Sequence, residues 1–128
     1  TSCINIKDLT ELSTDWVNRY GLIPKPVETL LLIMKMKLLA KNCGFNKIQL
    51  KKPNILISTK MKVNAFKKIR EVLPSSIQNK FIYQSDKEIS TIIIRGLGVI
   101  DIQNQIENLT KWFEIMANSI DKVKVNNN

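Results

Sequence analysis

Ser119 and Lys122 stand at the Ser-x-x-Lys spacing of a nucleophile and its base, and Gly96 and Gly98 in "GLGVID" open a dinucleotide-type glycine loop. Neither carries through. A lysine serves as a base only where burial or a neighbouring charge strips its proton, and Lys122 falls where the last expected helix runs into a polar tail. The glycine fingerprint needs a third glycine at 101, where Asp101 stands, so the pair reads as a turn between strand and helix. Histidine is absent, which excludes Ser-His-Asp and Cys-His catalysis and most zinc sites. No Gly-rich Lys-Ser/Thr loop is present to cradle a nucleotide phosphate. Asp86 and Glu88 share a turn with no third group to divide acid and base roles between them. Asn108 begins an Asn-Leu-Thr sequon that matters only in a secreted chain. The expectation is a chain that is no enzyme and holds no cofactor or metal.

Charge is the stronger signal. The 128 residues carry a formal net charge of +9, and residues 35–80 hold twelve basic side chains against one acid. A field of one sign over the middle of a small domain attracts polyanions or an acidic protein surface. Lys51 and Lys52 in a turn, with Lys60, Lys62, Lys67, Lys68 and Arg70 around one helix, are the candidate polyanion contacts. Phosphate contacts from such groups would give salt-sensitive, sequence-independent affinity. Against this, only Phe66 and Phe81 lie near the basic stretch, and Phe66 falls on a helical apolar stripe, so a base-stacking platform is poorly supplied. Abundant Ile, Asn and Lys are also what AT-rich coding produces. A nucleic-acid-binding module built on residues 35–80 stands as the alternative reading.

The elements that position these residues follow from periodicity. Asp8 and Glu11 have capping-box spacing, and Leu9, Leu12, Trp16 and Tyr20 then place one apolar stripe toward a core. Gly21 ends that helix, and Pro24 with Pro26 starts the next. The second helix, "KPVETLLLIMKMKLLAKNCG", is apolar around most of its circumference, which predicts a central, buried element ending at Gly44. "NKIQL" and "ILIST" predict two strands joined by "KKPN", and "VNAFKKIREVLP" an amphipathic helix with Phe66, Ile69 and Leu73 inward. "KFIYQ" and "ISTIIIRG" predict a second hairpin. A last helix then carries Ile102, Ile106, Leu109, Phe113, Met116 and Ile120, with Asp101 as its N-cap. The fold class is therefore α+β in the order α-α-β-β-α-β-β-α: two β-hairpins, each followed by a helix, packed with two N-terminal helices. The two hairpin–helix units read as an internal structural repeat. One domain over residues 1–122 and a disordered tail over 123–128 are expected. Cys3 and Cys43 make no disulfide framework and are expected to be reduced structural thiols in a cytoplasmic protein. No apolar run is long enough for a membrane span, and the N-terminus reads as a cut end of something longer.

The stretch "DWVNRYGLIPKPVETLLLIMKMKLLAKNCGFNKIQL" resembles the opening of the C-terminal domain of the bacterial transcription-repair coupling factor. The pattern is an acid or Asn, then Arg, an aromatic and Gly, two residues, Pro, and a Leu-rich helix ending in Leu-Ala before a Gly and a strand. Here those positions are Asn18, Arg19, Tyr20, Gly21, Pro24, Leu38, Leu39, Ala40 and Gly44. The resemblance continues through "KPNILIST", "RGLG" and "LTKWFEIMA". Asn18 replaces the usual first acid, which puts in doubt an ion pair from that position. What the resemblance implies is a regulatory module of an ATP-driven DNA translocase that displaces stalled RNA polymerase and recruits UvrA for nucleotide excision repair. The motor domains would lie outside this stretch. The module would dock on the N-terminal UvrA-binding region of the same protein and restrain it. On that pattern Asp15, Asn18 and Arg19 are the docking residues, expected on the helix face opposite Leu12 and Tyr20. RNA polymerase and DNA would be partners through the whole protein, with no membrane contact, and the isolated domain would be a monomer.

Overall fold

Two runs alternate between buried and half-buried side chains: Ile55, Ile57 and Thr59 in one, Ser90, Ile92 and Ile94 in the other. Such alternation marks strands with one face on the core. The computed structural model describes residues 5–126, with side chains up to Ile120. In it these runs are β2 (Asn54–Thr59) and β4 (Ser90–Ile94), paired antiparallel at the centre of a four-stranded sheet. β1 (Phe45–Lys51) pairs with β2 on one side and β3 (Phe81–Gln84) with β4 on the other, giving the order β1-β2-β4-β3. Every neighbouring pair is antiparallel, both within the two hairpins and between them.

The helices are α1 (Ile6–Tyr20), α2 (Lys25–Asn42), α3 (Val63–Glu71), the one-turn α4 (Ser75–Gln78) and α5 (Ile102–Asn126). The expected order holds, with α4 and a 3-10 turn over Leu97–Val99 added to it. The core lies between one sheet face and α2, α3 and α5. Phe113 and Met116 of α5 are wholly buried and belong to the same cluster as Phe45, Ile57 and Ile92. The Phe113 ring meets Phe45 edge-on at 5.3 Å, and Trp112 meets Phe81 edge-on at 5.6 Å. Trp112 falls outside the stripe read from the sequence, yet it is buried. Phe66, Ile69 and Leu73 point inward as expected, while Ile102 at the start of α5 is exposed.

Local chemistry explains the joints. Asp101 caps α5, its Oδ1 accepting the Asn104 N–H at 2.8 Å. Gly44 leaves α2 at φ +86, a conformation that a Cβ disfavours, and its carbonyl accepts the buried Thr59 hydroxyl at 2.7 Å. The same Thr59 oxygen accepts the Met61 N–H, so one side chain ties the end of α2 to the exit of β2. The buried Cys43 thiol donates to the Phe113 carbonyl at 3.4 Å; Cys3 lies outside the described residues. The boundary expected between residues 122 and 123 falls inside α5.

Two readings need correction. The capping box of α1 is Asn5 with Asp8, not Asp8 with Glu11: the Asn5 side chain accepts the Asp8 N–H at 2.9 Å, and the Asp8 carboxylate accepts the Asn5 N–H at 3.1 Å. Both pairs have the right spacing, and the earlier start lets Ile6 pack against the core. The second correction concerns α2. Only Met36, Leu39 and Ala40 are buried, all in its C-terminal half, while Leu30 is exposed and residues 31–35 are half-buried. Its apolar circumference does not have neighbours all round.

Candidate functional site

The exposed side of the α1–α2 hairpin is the feature that the core does not explain. Of the expected α1 stripe only Leu9 is buried; Leu12 is half exposed and Tyr20 is 70% exposed. The residues of α1 facing α2 and α5 across a cleft of about 460 Å³ are Ile6, Leu9, Thr10 and Ser13, all in its first half. In the second half, Trp16 alone is half-buried and the rest is exposed. The Trp16 ring lies 5.3 Å from Tyr20, and its Nε1 is enclosed without an acceptor among the described residues. Gly21 turns the chain at φ +82, and its N–H closes α1 on the Val17 carbonyl at 3.0 Å. Leu22 follows, 92% exposed, and Leu30 adds a third large apolar side chain at 56% exposure. Isolated apolar residues on a surface are ordinary, but a cluster at one tip marks an interaction surface.

Asp15, Asn18 and Arg19 lie on this tip and are all exposed. Their spacing of three and four residues places them on one side of α1. That side adjoins Leu12 rather than opposing it, since the seven residues between Leu12 and Arg19 are about 20° of rotation, whereas Tyr20 stands about 100–160° away from the three, as expected. None of the three forms an ion pair among the described residues, where the one salt bridge is Lys35–Glu114 at 3.3 Å, between α2 and α5. Arg19 stands in the last turn of α1, where the helix dipole favours a cation. Exposed polar and exposed apolar groups on one hairpin can offer orientation and grip, the composition of a modest docking surface.

The basic candidates are not brought together. Lys51 ends β1 and Lys52 starts the turn to β2, whereas Lys60 and Lys62 follow the far end of β2, about 20 Å away at the rise of a strand. Lys67 and Lys68 are exposed on α3. Arg70 is held: its guanidinium lies 5.3 Å from the Phe66 ring centroid and donates to the Phe81 carbonyl at 3.3 Å. The glycine pair does what a turn needs. Gly98 donates to the Pro53 carbonyl at 2.9 Å, and a Cβ there would meet Pro53 backbone atoms at 2.9 Å. Asn108 points along its own helix to the Asn104 carbonyl, and Lys122 lies beyond the described side chains. Among the described residues no three of His, Cys, Asp and Glu come together, and no helix is long and apolar enough to cross a membrane.

The family model of the TRCF domain matches residues 1–71 of the chain, which takes in α1, α2, β1, β2 and α3. The exposed hairpin tip lies wholly inside the match; the "RGLG" and "LTKWFEIMA" stretches lie beyond it. A search of curated proteins returned no match.

Proposed function

Since the chain belongs to the TRCF domain family, and so to the setting of transcription-coupled DNA repair, we propose that it is a non-catalytic docking domain of a transcription-repair coupling factor. It restrains the protein by binding the N-terminal UvrA-binding region of the same polypeptide. The observation that carries this reading is the α1–α2 hairpin, which leaves Tyr20, Leu22 and Leu30 exposed and Asp15, Asn18 and Arg19 exposed without an ion pair among the described residues. A contact of this size couples two states by ~1–3 kcal/mol, enough to favour the closed form and small enough to release when the motor engages DNA. ATP hydrolysis, DNA translocation and the displacement of RNA polymerase belong to other parts of the protein, which acts in the cytoplasm. The domain itself uses no cofactor and is a monomer.

The test is made in the full-length protein. Arg19→Glu should raise ATPase activity measured without polymerase by the several-fold to hundredfold that such a coupling allows. Unchanged basal activity would contradict the restraint. A second reading, nucleic-acid binding by residues 35–80, draws on the exposed Lys51, Lys52, Lys60, Lys62, Lys67 and Lys68. Duplex DNA titrated at low and moderate salt separates the two, because steeply salt-dependent affinity for the isolated domain would favour this one.

A further inference from the structure

Among the described residues, no helix covers the outer face of the sheet. Residues directly opposite in antiparallel strands share a face, so the registers sort this one into rows. Gln49, Leu56, Ile93 and Ile82 stand opposite one another across β1, β2, β4 and β3. Beside that row, Lys51 pairs with Asn54, and the Arg95 N–H donates to the Lys80 carbonyl at 2.8 Å, one step beyond the Phe81–Ile94 pair. Alternation then sets Lys80 and Arg95 on the same side as Ile82 and Ile93. None of these residues is buried; Leu56 and Ile93, on the two central strands, are half-buried, and Ile82 is 39% exposed.

The charge of this face is one-sided. The four strands contain no Asp or Glu, and neither Lys80 nor Arg95 forms an ion pair among the described residues. The two cations border one open depression with Pro53, Asn54, Asn79 and Gly96. Like charges directly opposite on a sheet repel, so the free domain carries a cost there that an incoming carboxylate removes. The apolar part of the row, Leu56, Ile93 and Ile82, spans two inter-strand spacings, about 10 Å, which roughly seven residues of α-helix cover.

We propose that the open sheet face docks an acidic amphipathic helix of a protein partner. Its apolar side lies on Leu56, Ile93 and Ile82, and its carboxylates meet Lys51, Lys80 and Arg95. The helix completes a third layer over a sheet already covered on its other face. Nucleic acid fits less well: the row is aliphatic, so bases have nothing to stack on, and phosphate contacts would leave it wet. This surface is separate from the hairpin tip and does not depend on it.

The experiment uses the isotopically labelled chain and three probes. Two designed peptides of about 14 residues share one leucine stripe, flanked by Glu in one and by Lys in the other; the third probe is a short DNA duplex. The Glu peptide should shift the backbone amide signals of Leu56, Ile82, Ile93 and Arg95. The double variant Lys80→Glu/Arg95→Glu, at two exposed positions, should weaken its binding about tenfold or more, the scale of a lost charged contact. Lys51→Glu gives the same reading should the double variant not fold. Three results would overturn the proposal: no shift on this face at ~1 mM Glu peptide, equal binding of the Lys peptide, or displacement of the Glu peptide from these residues by the duplex.

Discussion

Leu22 and Phe113 are both large apolar side chains, yet one is 92% exposed and the other is fully enclosed. They stand for two regions that treat apolar surface in opposite ways. Around α5 and the inner sheet face, Phe45, Ile57, Ile92, Phe113 and Met116 fill one continuous cluster. At the α1–α2 tip, Leu12, Tyr20, Leu22 and Leu30 reach into solvent. The first arrangement stabilises the domain, while the second costs hydration free energy that only a partner can recover. A stable body carrying an unfinished edge is what a docking module needs.

Mutations can break or sharpen this contrast. The largest effect is expected at Phe113→Ala, which should lower unfolding free energy by about 3–5 kcal/mol in a urea titration. A loss below about 1 kcal/mol would mean that α5 is not the centre of the core. Next comes Thr59→Val, which keeps the volume but strands the Gly44 carbonyl and the Met61 N–H. The same titration should show a loss of about 1–3 kcal/mol. Asp101→Ala removes the cap of α5 and should cost roughly 1 kcal/mol, read as a lower thermal midpoint. The smallest effect belongs to the tip: Tyr20→Ser and Leu22→Ser should each stay within about 0.5 kcal/mol of the parent. A loss of several kcal/mol there would show that the tip is core after all and end the comparison.

The sequence disclosed elements better than surroundings. Spacing alone located the strands and the long helices, because alternation and the 3.6-residue period are local properties. It overstated α2, since an apolar circumference says what could be buried and not whether a neighbour exists to bury it. Tyr20 was misplaced for the same reason: its stripe is regular, but the side chain is 70% exposed. The capping box slipped by one turn because Asn5–Asp8 and Asp8–Glu11 both satisfy the pattern. α4 escaped because four residues after Pro74 carry no period to detect. Asp15, Asn18 and Arg19 were visible as a group through family likeness, while the exposure of Leu22 and Leu30 needed coordinates. The basic stretch read as one field, and folding divides it between the two ends of β2.

The central claim is that the hairpin tip grips the UvrA-binding region of the same protein. Calorimetric titration of that region, as a separate polypeptide, into this chain tests it most directly. Measurable binding is predicted, weakened about tenfold by Arg19→Glu and by Tyr20→Ser while both variants melt with the parent. Absence of binding, or affinity untouched by either substitution, would contradict the account.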